Sequence, residues 1–118
     1  MILLVAIVLG IAAVPTGQPV SETQAIELVT NSVHATYSGE PLHCFSFMIE
    51  EQSQASFEIA VRENQTRGCG GDPGVAPVRD RFRVDRVPVR LWIYAVSEDA
   101  YLPCSVTDDL QPRCPHDK

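Results

Sequence analysis

Cys44-Phe45-Ser46-Phe47-Met48-Ile49-Glu50 and Phe57-Glu58-Ile59-Ala60-Val61-Arg62 each alternate apolar with polar or small side chains, and the polar stretch Glu51-Gln52-Ser53-Gln54 separates them. A period of two is the mark of a half-buried strand, and two such strands joined by a short polar turn predict an antiparallel hairpin. Everything else in the chain is placed relative to this hairpin.

Downstream, residues 64–78 read as a long loop, since Gly68, Gly70, Gly71, Pro73, Gly74 and Pro77 crowd its centre. A third strand follows, with Phe82 and Val84 alternating against Arg81, Arg83 and Asp85. A fourth is predicted from about Arg90 to Val96. The intervening Arg86-Val87-Pro88-Val89 suits neither usual two-residue hairpin turn, so a wider turn is expected. After Pro103 the chain reads as an irregular tail. Upstream, Ser21-Glu22-Thr23-Gln24 has the pattern of a capping box. Ala25, Leu28, Val29, Ser32 and Val33 recur behind it at helical spacing, predicting one amphipathic helix over 21–34 that ends at Ser38-Gly39-Glu40-Pro41. The expected fold is α+β, one N-terminal helix packed on a four-stranded antiparallel sheet.

The chain has 118 residues, of which 45% are hydrophobic and 20% charged, with a formal charge of −6. That length suits one domain, and the acidic balance argues against a general nucleic-acid binder. Ile2 to Val14 are uncharged and apolar up to Pro15. The run is too short to span a bilayer comfortably and fits the apolar region of a signal peptide, although no Lys or Arg precedes it. The expected organisation is therefore a leader over 1–17, a domain over 18–103 and a disulfide-closed tail over 104–118. It places the mature chain in the periplasm or outside the cell, with no stable membrane span.

These features resemble a known arrangement. Ala25-Ile26-Glu27-Leu28 on the helix and Val84-Asp85 at the end of a late strand look like the PepSY-type, or half-cystatin, pattern of a helix on an antiparallel meander. Cys69-Gly70-Gly71-Asp72-Pro73, Phe82-Arg83-Val84 and Trp92-Ile93-Tyr94 are similar to uncharacterised bacterial exported proteins with a C-G-G-D-P loop and F-R-V and W-Y strands. The resemblance covers about residues 44–95. It implies the fold and an envelope location, and by analogy a role in modulating peptidases.

Three groups of residues invite a functional reading. The first is the cysteines. With the hairpin turning near 52–55, Cys44 falls opposite residues near Glu63, which favours Cys44–Cys69 and leaves Cys104–Cys114 to close the tail. Four cysteines still allow three connectivities. A zinc site using His43, His116 and the cysteines is the alternative, but the spacings match no common zinc pattern, so no metal and no cofactor is expected. The second is the face opposite the helix. Pairing Phe82 and Val84 with Ile93 and Leu91 sets Arg83 across from Trp92, Arg81 across from Tyr94 and Asp85 across from Arg90, with Arg62 and Met48 widening the surface. Residues 79–90 carry five Arg and two Asp, a net +3 that leaves −9 for the remainder. An Arg and aromatic face of this kind suits a partner's acidic or apolar segment, although such pairs also serve simply to stiffen an exposed sheet. The third is the glycine loop, Gly68 to Gly74, whose backbone N–H groups could nest a small anion or merely form tight turns.

Catalysis finds no support in the spacing. His34, His43 and His116 are far apart, and Ser46 lacks a nucleophile-elbow context. Asn64-Gln65-Thr66 forms a glycosylation sequon, relevant only in a eukaryotic secretory pathway. The sequence thus predicts a non-catalytic exported module that binds or inhibits a protein, such as a peptidase or another envelope enzyme. Self-association into a homodimer is the second reading and anion binding at the loop the third.

Overall fold

The structure is a computed structural model and describes residues 17–66, 68–72, 74–109 and 111–115. The expected leader, Gly17 apart, and His116 lie outside the described residues. The fold is α+β, with helix α1 (Glu22–Thr36), strands β1 (Phe45–Gln52), β2 (Ser56–Glu63), β3 (Val78–Arg86), β4 (Val89–Ala95) and β5 (Ala100–Pro103), and a small hairpin of β6 (Ser105–Val106) and β7 (Pro112–Arg113). Strands β1 to β5 form one antiparallel meander in chain order.

The helix begins where its capping chemistry puts it. Gln24 N–H donates to Ser21 Oγ at 3.1 Å, and Ser21 N–H donates to Gln24 Oε1 at 2.9 Å, so two otherwise orphaned donors are satisfied reciprocally. Ala25, Leu28, Val29, Ser32 and Val33 are its buried stripe. They pack on Phe57, Ile59 and Val61 of β2, Phe82 and Val84 of β3, and Leu91 and Ile93 of β4. Just before the helix, Val20 is buried and tied to the end of β3: Val20 N–H donates to Arg86 O, and Arg86 Nε donates back to Val20 O, both at 3.0 Å.

Three expectations about the second half of the chain are corrected. The sheet has five strands rather than four. Asp99, with φ of +48°, turns the chain back so that Tyr101 pairs with Tyr94 and Leu102 with Ile93. The turn between β3 and β4 is not wide. It closes with Val87 and Pro88 alone, around a cis peptide bond, the arrangement in which a proline occupies the third turn position. The tail is not irregular, because β6 and β7 pair, with β7 packed on the helix and β6 on β4. Cys104 N–H donates to Leu91 O at 2.9 Å, Cys114 Sγ lies 3.4 Å from Ser32 Oγ, and Pro112 is buried. The helix and this hairpin together cover one face of the sheet, and the other face carries no covering element among the described residues.

Candidate functional site

Alternation decides which side chains populate the uncovered face. With Phe82 and Val84 turned to the core, Arg81, Arg83 and Asp85 must point the other way, and the β3–β4 register carries Trp92 and Arg90 to the same side. Arg83 stands opposite Trp92 on one side and Glu58 on the other. Its guanidinium carbon lies 4.8 Å from the Trp92 ring centre and 5.3 Å from that of Tyr101, so two aromatic rings bracket it. Asp85 completes the cluster. One carboxylate oxygen accepts from Trp92 Nε1 at 2.9 Å, and the other lies 3.3 Å from Arg83 Nε. That second contact is an ion pair rather than an aligned hydrogen bond, and Arg83 Nε is buried without a better partner. Each cation–π contact at a half-exposed site contributes about 0.5–1 kcal/mol.

A β-bulge after Ile49 shapes the other half of the face. It pairs Glu51 rather than Glu50 with Glu58, so both Glu50 and Glu51 lie near that residue. Glu50 accepts from Arg81 Nε at 3.1 Å, and its second oxygen is 3.9 Å from Arg62 Nη2. Ala60, opposite both Met48 and Arg81, is wholly buried although it belongs to this face. Tyr94 meets Tyr101 edge-on with ring centres 5.5 Å apart, and its hydroxyl donates to Asp99. The bond to Asp99 raises the Tyr94 pKa, whereas burial followed by the Glu58 charge raises that of Tyr101. At the hairpin tips the face ends in a shallow concavity of about 380 Å³, lined by Gln54, Ala55, Asp85, Val87, Pro88 and Arg90.

This geometry changes the electrostatic reading. Arg62, Arg81, Arg83 and Arg90 share the face with Glu50, Glu51, Glu58 and Asp85, so it is balanced rather than basic. The net +3 of residues 79–90 does not collect here because Arg79 and Arg86 are used elsewhere. Arg86 donates to Val20 O and Ser53 O and lies over Phe57. Arg79 donates from two nitrogens to Glu40 at 3.0 and 3.2 Å, pairs with Glu63, and lies 4.7 Å from the Tyr37 ring centre. Tyr37 in turn donates to Asp80 at 2.7 Å, and burial and that bond hold its hydroxyl far above the usual range. The cluster joins the end of α1 to β2 and β3, which is a structural task.

Glu58 gives a pH-dependent prediction. The hydrogen bond shared with Glu51 raises its pKa first, then burial and the charges of Glu51 and Glu50, with Arg83 opposing. Folding therefore favours the protonated form. That contribution is full below the unfolded value of about 4.5 and is lost as pH rises through the higher folded value. Glu58→Gln, which keeps a donor for Glu51, is expected to stabilise the protein at pH 7 by up to about 1 kcal/mol, the scale of a cross-strand pair. The gain should vanish near pH 4 in urea melts, and an equal gain at both pH values would refute the shared proton.

The remaining candidates look structural. Cys44 is bonded to Cys69 and Cys104 to Cys114. His43 Nδ1 or Nε2 and the sulfurs of Cys44 and Cys69 lie within 4.8 Å of one another, but the disulfide consumes both thiolates and leaves a single metal-ligating group. In the glycine loop Gln65 Oε1 accepts from Asp72 N–H at 2.9 Å. Gly71, at φ of +76°, lies so close that an added Cβ would sit 2.5 Å from Gln65 Cδ. The Gln65 amide thus takes up the Asp72 N–H, and Glu40, Glu63 and Arg79 line the adjoining cleft of about 170 Å³. Asn64 donates to His43 O at 3.0 Å and accepts from Ser46, so both the sequon and Ser46 are engaged in joining the loop to β1.

No protein-family model, curated protein or solved structure matches the chain. The site therefore rests on its own geometry. Arg81, Arg83, Trp92, Tyr94 and Arg62 all belong to the uncovered side of one sheet. Sequence reasoning missed Tyr101 and the acidic half, Glu50, Glu51 and Glu58. Strict alternation could have found Glu50 and Glu58, but nothing in the spacing announces the bulge that brings Glu51 beside them.

Proposed function

We propose that the chain is an exported, non-catalytic binding module that holds a protein partner against its uncovered sheet face. The observation that carries the reading is the bracketed Arg83, with Trp92, Tyr101 and Asp85 fixing a guanidinium and two rings on a rigid surface. Prefixed aromatic and Arg side chains lose little freedom on binding and are the residue types most often found at binding hot spots. Arg81, about half exposed, and Arg90 offer cationic groups beside apolar rings, and Met48 adds a flexible apolar contact. The occupant that suits this mixture is an extended segment with acidic and apolar side chains. Two disulfides in so small a domain support an oxidising compartment, periplasmic or extracellular. None of the described helices is long and apolar enough to cross a membrane. The PepSY-like resemblance adds a peptidase or another envelope enzyme as the partner class.

The test uses the oxidised protein as bait against its host's envelope or secreted extract, followed by titration of the captured partner. Arg83→Ala with Trp92→Ala should weaken that partner by about 30-fold, corresponding to a hot spot of about 2 kcal/mol, while circular dichroism stays unchanged. Unchanged affinity in the double variant would move the site off this face. The absence of any captured protein would refute the binding reading itself.

A further inference from the structure

The two edges of the sheet differ. Strand β5 is four residues long, ends at Pro103 and runs directly into the Cys104–Cys114 hairpin, which are familiar ways of blunting an edge. Strand β1 is eight residues long and carries no Lys, Arg or Pro between Phe45 and Gln52. Its outer backbone is also open among the described residues. Asn64 N–H donates to Cys44 O at 2.8 Å, and the β1–β2 register extends that pairing in steps of one. Antiparallel ladders alternate, so Ser46 and Met48 direct their backbone groups at β2, and Phe47 and Ile49 direct theirs away. The side chains match this picture. Phe47 and Ile49 stay half-buried at the rim of the core, and Met48 is 50% exposed on the other face.

We infer that β1 pairs antiparallel with β1 of a second copy of this chain, on a two-fold axis at Met48. In this register Phe47 meets the second copy's Ile49 twice, supplying four backbone hydrogen bonds between the groups left over by β2. Met48 meets its own counterpart across the axis. Ser46 lies opposite the second copy's Glu50, so the acidic end of each strand falls beside the uncharged end of the other. No two like charges face each other. An acidic peptide would bring its charges against Glu50 and Glu51, and a parallel copy would set these residues side by side. The self-paired antiparallel arrangement is therefore the occupant that the strand's own charge pattern favours. The bulge after Ile49 ends the contact, which keeps it to Ser46–Glu50 and makes the dimer weak and concentration-dependent, in the range of interfaces below about 1,200 Å². The inference uses the edge of the sheet, where Met48 and Glu50 form the rim of the partner-binding face.

The test is sedimentation of the oxidised protein, as its host processes it, over a range of concentrations. Wild type should shift from monomer to dimer, and Met48→Lys, which sets two ammonium groups at the axis on an exposed position, should weaken the dimer at least tenfold. As a second measurement, Met48→Cys should give an intermolecular disulfide under mild oxidation, whereas Ser105→Cys, on the tail hairpin, should not. A wild type that stays monomeric throughout overturns the inference. So does a dimer that Met48→Lys leaves intact, or equal cross-linking at both positions. The Arg83/Trp92 test reads a different partner and changes two residues on β3 and β4 that this β1–β1 contact does not touch, so the two readings can fail separately.

Discussion

Phe82→Ala is expected to destabilise the protein by about 3–5 kcal/mol, the range for removing a large ring from a closed core. Phe82 is 1% exposed, sits mid-way along the central strand β3 and pairs with Ile59 on one side and Ile93 on the other. Helix residues close over it from above, so the cavity has no easy way to collapse. Small domains of this size are stable by about 5–15 kcal/mol, so one substitution removes a large share of the total. Phe47→Ala provides the control. It deletes the same ring from an edge strand where the site is only half-buried, and it should cost well under half as much. Urea unfolding of both variants measures the difference, and equal losses would mean that the core is not centred under α1.

The second large effect concerns the disulfides. Cys44–Cys69 spans 25 residues, and loop-closure entropy alone assigns it about 3.5 kcal/mol. The same reckoning gives about 2.7 kcal/mol for Cys104–Cys114, which spans 10. Replacing Cys44 and Cys69 by serine should therefore cost more than replacing Cys104 and Cys114, when both are measured by denaturant unfolding. The competing influence is packing. Cys104 and Cys114 both lie against the core, and Cys114 touches Ser32. If the tail pair proves the costlier to remove, contact with the helix outweighs chain entropy, and the hairpin is part of the core in energy as well as in position.

Much of this architecture is legible in the residues themselves, because local chemistry and global packing agree. Ser21 and Gln24 announce the helix start, and the stripe from Ala25 to Val33 matches the buried face residue by residue. The alternation in β2 and β3 leaves only one side for Phe57, Ile59, Phe82 and Val84. What escapes is short or depends on distant partners. Ala100-Tyr101-Leu102-Pro103 is too brief to show a period of two, and it becomes a strand because β4 offers a free edge. The tail hairpin has two-residue strands held by a disulfide and by contact with α1, neither visible as a pattern. The charge balance of the open face fails to appear for a different reason. Counting Arg along residues 79–90 cannot show that Arg79 turns to Glu40 and Glu63, that Arg86 turns to Val20, or that a bulge brings Glu50 and Glu51 beside Glu58.

The packing of β7 on α1 also bears on when the molecule can become itself. Ser32 belongs to the first of the described elements and Cys114 follows the last, 82 positions further along the chain. The helix can form early, but its apolar stripe has no complete cover until the final hairpin arrives. A nascent chain therefore cannot complete this packing until residues 112–114 have been made. For the exported module proposed above, that delay is an asset: the hairpin's contact with the helix and its disulfide can form together, on the side of the membrane where cysteines are oxidised.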